Sequence, residues 1–159
     1  MSDIKTGTIS ITGLADLEKR LLDFPDKLAR NILAGAIRAG AVVIQKEAKQ
    51  RAPASAEAHY LGKGSKRVLI QPGELKRKGI KVRLAPRKNR SVPIEYWVYV
   101  ARRNWYWKFS EFGVKREGKQ FDAAQAFMRP AFETMKVVAV ERIREYLAAR
   151  IEKEASNGR

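Results

Sequence analysis

The chain has 159 residues, 45% of them hydrophobic, no cysteine, and a formal net charge of +16. That length and apolar content suffice for one domain with a core and exclude global disorder. Lack of cysteine excludes a disulfide framework and thiolate chemistry, as suits a cytosolic setting, and the basic excess points to a polyanion or an acidic neighbour.

Met1 to Thr12 contains no continuous apolar stretch, so no signal peptide is expected. Gly7 to Thr12 alternates polar and apolar residues, the pattern of a short half-buried strand. Leu14, Leu17, Leu21 and Phe24 fall on one face of a short helix that Pro25 ends. Asp26 to Arg51 predicts the longest helix, roughly 40 Å at 1.5 Å per residue. Leu28, Ile32, Ala36, Ala39 and Val43 form one apolar stripe, and Leu33, Ile37, Ala41, Ile44 and Ala48 a second, so burial on two sides is expected. The longest apolar run, Ile32 to Ile44, is interrupted by Arg38 and is shorter than the ~20 residues a bilayer requires. A soluble protein with no membrane partner is expected. Gly35 and Gly40 each cost about 1 kcal/mol in a helix, so something must approach closely there. A neighbour within the domain is the preferred reading over a neighbouring subunit.

Beyond Pro53, the segment Ala54 to Pro72 shows no sustained period and carries His59, Gly62 and Gly64. It reads as a mobile assembly loop that becomes ordered on contact with a neighbour. Glu74 to Lys78 reads as a helical turn. Ile80–Leu84 and Ile94–Ala101 alternate as strands, joined by a basic turn into a long hairpin tipped by Arg87, Lys88 and Arg90. From Tyr60 to Arg103 there are thirteen basic residues, Lys76, Arg77 and Lys78 among them, against only Glu74 and Glu95. These six cations at the tip and the turn are the candidate contacts to negative charge.

The aromatic stretch Trp105 to Gly113 ends in a glycine suited to a chain reversal. Val114 to Ala126 is polar and loop-like. Phe127-Met128-Arg129-Pro130 reads as a helix entry, because proline in a first turn gives up only an N–H that would be unpaired. The two aromatic groups are expected to close on each other, with Phe112 touching Phe127 or Met128 and Glu111 receiving Arg129 or Lys108. A last helix from about Pro130 to Ala155 presents Phe132, Met135, Ala139, Ile143, Tyr146 and Leu147 to the core. The fold class is α+β: residues 1–159 as a single domain, a small antiparallel sheet with a long hairpin packed on a long helix and a C-terminal helix.

Catalysis finds little support. His59 is the sole histidine and has no cysteine or second imidazole to share a metal, Gly62 to Lys66 lacks Walker spacing, and Glu111 has no partner acid. No catalytic, cofactor or metal site is expected, and the chain reads as a non-enzyme. Basic residues interleaved with Tyr96, Trp97, Tyr99, Trp105, Tyr106 and Trp107 suit phosphate contact and base stacking, although no groove-reading helix is present.

Taken together, Ile11 to Leu17, Ala48 to Pro53, Pro72 to Lys76, the segment through Glu111-Phe112-Gly113 and Phe127-Met128-Arg129-Pro130-Ala131 resemble the tail-completion, or head–tail joining, family of long-tailed bacteriophages, a group similar to the lambda minor tail protein Z. The chain departs from the family pattern at Val114 and in the length between Pro53 and Gly73. The resemblance implies a structural virion protein, assembled in the host cytoplasm. It would form a ring, hexameric in the family, at the head–tail junction. Its neighbours would be other copies, neck or head-closure proteins and tail-terminator or tail-tube proteins, with DNA passing through the lumen. The alternative is a sequence-independent nucleic-acid-binding protein.

Overall fold

Two long helices carry the fold of the computed structural model, which describes residues 13–62, 64, 67–116, 119–122 and 124–157. The strand expected at Gly7 to Thr12 lies outside these residues. Helix α2 spans Asp26–Arg51 and helix α4 spans Met128–Asn157, with the short α1 at Leu14–Leu22. At one end of the α2–α4 seam, Ile32 and Ala36 share a buried cluster with Leu147 and Ile151, capped by Leu17 of α1. At the other end, Ala48 and Ala52 cluster with Phe127 and Ala131. Rising numbers on one helix meet falling numbers on the other, so the pair is antiparallel.

The glycines of α2 explain how closely the helices approach. A Cβ on Gly40 would lie 2.7 Å from Ile143 Cγ1 and 2.8 Å from the Ala139 carbonyl oxygen. One on Gly35 would lie 2.6 Å from the Tyr146 hydroxyl. The close neighbour is therefore α4 of the same chain. By length and composition α2 is apolar enough to cross a membrane; α1, α4 and the central hairpin pack against it here.

Among the described residues the strands form three separate two-stranded antiparallel ladders. They are β1 (His59–Leu61) with β2 (Val68–Ile70), β3 (Ile80–Leu84) with β4 (Tyr96–Val100), and β5 (Val114–Arg116) with β6 (Lys119–Asp122). The central hairpin pairs Ile80 with Val100 and Leu84 with Tyr96. Its alternation sends Ile80, Val98 and Val100 into the core beside Ala48 and Phe127. Gln45 of α2 donates its side-chain amide to the Ile80 carbonyl at 2.8 Å, fixing the start of β3.

Three expectations change. Within Ala54 to Pro72, read as lacking a period, His59–Leu61 and Val68–Ile70 pair as the β1–β2 ladder, with Ile70 buried. Strands of three residues give no readable period, which is why the sequence looks like loop. Val114 to Ala126 likewise contains β5 and β6. Phe132, assigned to the core face of α4, is half exposed, because Ala131 takes the buried position one residue earlier.

Candidate interaction surfaces

The first surface is built on a helix terminus. Helix α3 (Trp107–Phe112) ends at Gly113, whose φ of 72° lets its N–H turn back to the Phe109 carbonyl at 2.8 Å. That reversal leaves Glu111 buried and aimed at the start of α4. One oxygen of Glu111 accepts the backbone N–H groups of Phe127 (2.8 Å) and Met128 (3.0 Å), and the other accepts that of Arg129 (3.1 Å). Pro130 has no N–H, and the Ala131 N–H begins the helical ladder by donating to the Phe127 carbonyl at 3.2 Å. Every orphan donor of the first turn is thus satisfied or absent. The carboxylate also sits at the positive end of the helix dipole. The expected ion pair of Glu111 with Arg129 or Lys108 is replaced by these backbone bonds. Sequence spacing could not show that, because the capping residue lies sixteen positions before the cap.

Phe127 is fully buried and Phe112 is largely exposed. Trp107 stands between them, its ring centroid 6.4 Å from Phe127 and 6.2 Å from Phe112. The two aromatic groups do close on each other, through Trp107 rather than by direct contact of Phe112 with Phe127. Met128 packs against the same cluster. What remains outside is an apolar face: Trp105, Phe109 and Phe112 are each exposed by 41% or more, and Trp105 meets Phe109 edge-on at 5.6 Å. The sequence marks the stretch as an aromatic cluster, but which rings it buries and which it exposes is decided only by the packing of Trp107 on Phe127.

The second surface is the central hairpin. Its outward face carries Lys81, Arg83, Trp97 and Tyr99, and the Arg83 guanidinium lies 4.6 Å from the Tyr99 ring centroid and 5.4 Å from that of Trp97. At the tip, Arg87 and Lys88 are exposed on a short 3-10 turn. Arg90 differs. Its guanidinium donates to the carbonyls of Ala85 (2.5 Å) and Pro93 (3.2 Å), clamping the two ends of the tip together. Glu95 accepts from the Trp97 indole (2.5 Å) and from the backbone N–H and hydroxyl of Ser91. The indole bond, then the Ser91 backbone bond, hold its carboxyl below the usual value.

The triplet Lys76, Arg77 and Lys78 lies on a π-helical turn, Leu75–Gly79, which Glu74 starts by accepting the Gln71 N–H at 3.1 Å. Lys76 reaches the Gln50 carbonyl and Arg77 the Pro72 carbonyl, so only Lys78 points freely outward among these three. Glu74 is nine-tenths buried and pairs with Arg103 at 3.2 Å.

Beneath the β1–β2 ladder, a cleft of about 170 Å³ runs from Ala54 and His59 to Glu74, Tyr106 and Ser110. Burial raises the pKa of the Tyr106 hydroxyl, which accepts a bond from the buried Asn104 side chain. His59 itself is exposed and, among the described residues, approaches the Glu57 carbonyl. Gly62 and Gly64 take positive φ at the hairpin tip and Pro72 enters the turn after it. Among the described residues no group of three His, Cys, Asp or Glu side chains is placed to hold a metal.

Residues 15–113, from α1 through the Gly113 reversal, match the family model described as Bacteriophage HK97-gp10, putative tail-component, and the chain belongs to this HK97-gp10-like family. Glu111, Phe112 and Gly113 fall inside the match, while Phe127 to Pro130 and the rest of α4 lie beyond it. No curated protein and no solved structure matches the chain. The chain is thus a tail-related structural protein of the phage virion.

Proposed function

We propose that this tail component is a tail-completion protein, similar in role to the lambda minor tail protein Z, and that copies of it form a ring, hexameric in the family it resembles, at the head–tail junction. It works by shape and interface, joining neck or head-closure proteins to tail-terminator or tail-tube proteins. The observation that carries this reading is the exposed Trp105, Phe109 and Phe112 face. Contiguous exposed aromatics mark protein interaction sites, and Glu111 fixes α3 so firmly that little ordering entropy is lost on docking.

Electron microscopy of the purified virion tests the placement directly: this chain should account for ring density between head and tail. In parallel, Phe109→Ser with Phe112→Ser should leave the fold intact while heads and tails fail to join. Density located elsewhere in the tail, or normal particles from the double variant, would reject the reading. A second reading is sequence-independent nucleic-acid binding, favoured by the Arg83, Trp97 and Tyr99 face. Stacking there predicts that Trp97→Ala weakens single-stranded binding more than duplex binding.

A further inference from the structure

The family match and the aromatic face leave the hairpin tip without a role. There, Arg87 and Arg90 share a concavity of about 550 Å³ with Arg30 of α2, and Ser91, Val92 and Pro93 complete its lining. Sequence spacing gave no hint of Arg30, which lies more than fifty positions before the tip. We propose that this three-arginine basin binds the phosphodiester backbone of duplex DNA without reading its bases.

Charge is the first argument. No carboxylate lines the basin, and among the described residues neither Arg30 nor Arg87 forms an ion pair. Elsewhere six acids pair with cations: Glu47 with Arg51, Glu74 with Arg103, Glu133 with Lys136, Glu141 with Arg144, Glu145 with Arg142 and Glu154 with Arg150. Glu95, at the base of the tip, offsets Arg90 in part, but its oxygens are engaged by Ser91 and Trp97. A positive excess therefore remains at the tip.

Preorganisation is the second. Two carbonyl bonds hold Arg90 through its Nε and one terminal nitrogen, leaving the other terminal nitrogen to an anion. The guanidinium groups of Arg30 and Arg87 can engage phosphate oxygens in pairs, which favours arginine over lysine for this contact, and Arg90 adds its single remaining nitrogen. Lys88, exposed and next to Arg87 on the same turn, adds to the positive charge of the tip.

The lining decides between DNA and an acidic protein. A protein hot spot needs an aromatic or large aliphatic anchor in a desolvated pocket, and here only Val92 and Pro93 are apolar, both exposed. An open, polar, strongly positive surface is the character of a nucleic-acid interface. With no aromatic ring in the lining and no helix placed to enter a groove, base readout has no means. The inference stands apart from ring formation, since the basin is complete within one chain.

The test is fluorescence anisotropy of the whole protein with a labelled random-sequence duplex of about 20 base pairs, from 50 to 200 mM salt. A protein of this charge will bind DNA to some degree, so a charge-matched control is essential. Arg30→Ala with Arg87→Ala should weaken binding about tenfold and reduce the log–log salt slope by about 2, one for each phosphate no longer neutralised. Lys46→Ala with Lys153→Ala removes the same charge from α2 and α4 away from the basin and should leave the slope nearly unchanged. Binding of several unrelated duplexes with equal affinity is also expected. Equal losses in both double variants, no duplex binding at 50 mM salt, or poly-glutamate outcompeting duplex would each overturn the proposal. Circular dichroism of every variant confirms that the fold is kept.

Discussion

The junction of α3 with α4 and the tip of the central hairpin treat charge in opposite ways. At the junction, one buried carboxylate takes three backbone donors and proline removes the fourth, so no backbone donor of that turn is left for a partner. At the tip, Arg90 and Glu95 are tied into the loop while Arg87 and Lys88 project from it unpaired. The first arrangement fixes geometry, and the second keeps a field available. A structural protein of a phage tail needs both, a rigid frame to hold apolar contact faces in register and free charge where it meets something negative.

Breaking the junction should cost most. Phe127 is completely buried beside Ala48, Leu75 and Ile80, so Phe127→Ala should destabilise by about 3–5 kcal/mol. An unchanged thermal midpoint would show that the flap is not anchored through it. Glu111→Ala should cost about 3 kcal/mol, since three N–H groups lose a charged acceptor near the core. Glu111→Gln keeps one accepting oxygen and should cost less, about 1–2 kcal/mol. If Glu111→Gln unfolds at the same denaturant concentration as the wild type, charge at the helix terminus adds nothing beyond an accepting oxygen.

The helix seam gives the next effect. On propensity alone Gly40→Ala would gain about 1 kcal/mol, but its Cβ would meet a backbone carbonyl at 2.8 Å, which cannot swing away. A net loss of about 1–3 kcal/mol is expected. Gly35→Ala meets the far end of the Tyr146 side chain, which can move, and should cost less. Greater damage at Gly35 would mean that the closest approach of α2 to α4 lies elsewhere.

At the tip, Arg87→Glu with Lys88→Glu should change stability by less than about 0.5 kcal/mol, because neither side chain is engaged by the fold. The variant should nevertheless produce heads and tails that fail to join, or particles that leak DNA. Normal infectious particles would show that the free charge serves only as edge protection. Arg90 is left out of this variant, since its loss would open the tip and confuse the two effects.

The difference between the two regions also explains what could be read in advance. Helix α2 was legible to the residue, Asp26 to Arg51, and β3 likewise, because long apolar periodicity and clean alternation are local signals. The β1–β2 and β5–β6 ladders were not, since three or four residues carry too little of a period to read. For the candidate surfaces, the closure of Glu111 on Met128 was legible as a meeting of motifs, but its chemistry was not. Side-chain to backbone capping across a loop leaves no spacing rule. Arg30 was invisible for the same reason, as only the folded hairpin brings it to Arg87. Arg90 and Arg87 look alike in sequence, and only the carbonyls of Ala85 and Pro93 distinguish them.

The smallest effect sharpens the comparison inside the tip itself. Glu95 is held ionised chiefly by the Trp97 indole, then by the Ser91 backbone N–H, with Arg90 adding a weaker pull. Its carboxyl therefore titrates at lower pH in the folded hairpin than in the unfolded chain. The stabilisation it lends is present above the unfolded value and is lost as pH falls through the lower, folded one. The tip loses its internal acceptor there while Arg87 and Lys88 keep their charge, so the two classes of tip residue separate on one titration. The indole N–H resonance of Trp97 should shift with a midpoint below the ordinary glutamate value, and those of Trp105 and Trp107 should not follow it. Glu95→Gln should abolish the transition without moving the other two resonances. A Trp97 signal that stays flat from pH 7 to 3, or one that titrates at the ordinary glutamate value, would show that the indole bond does not organise the tip.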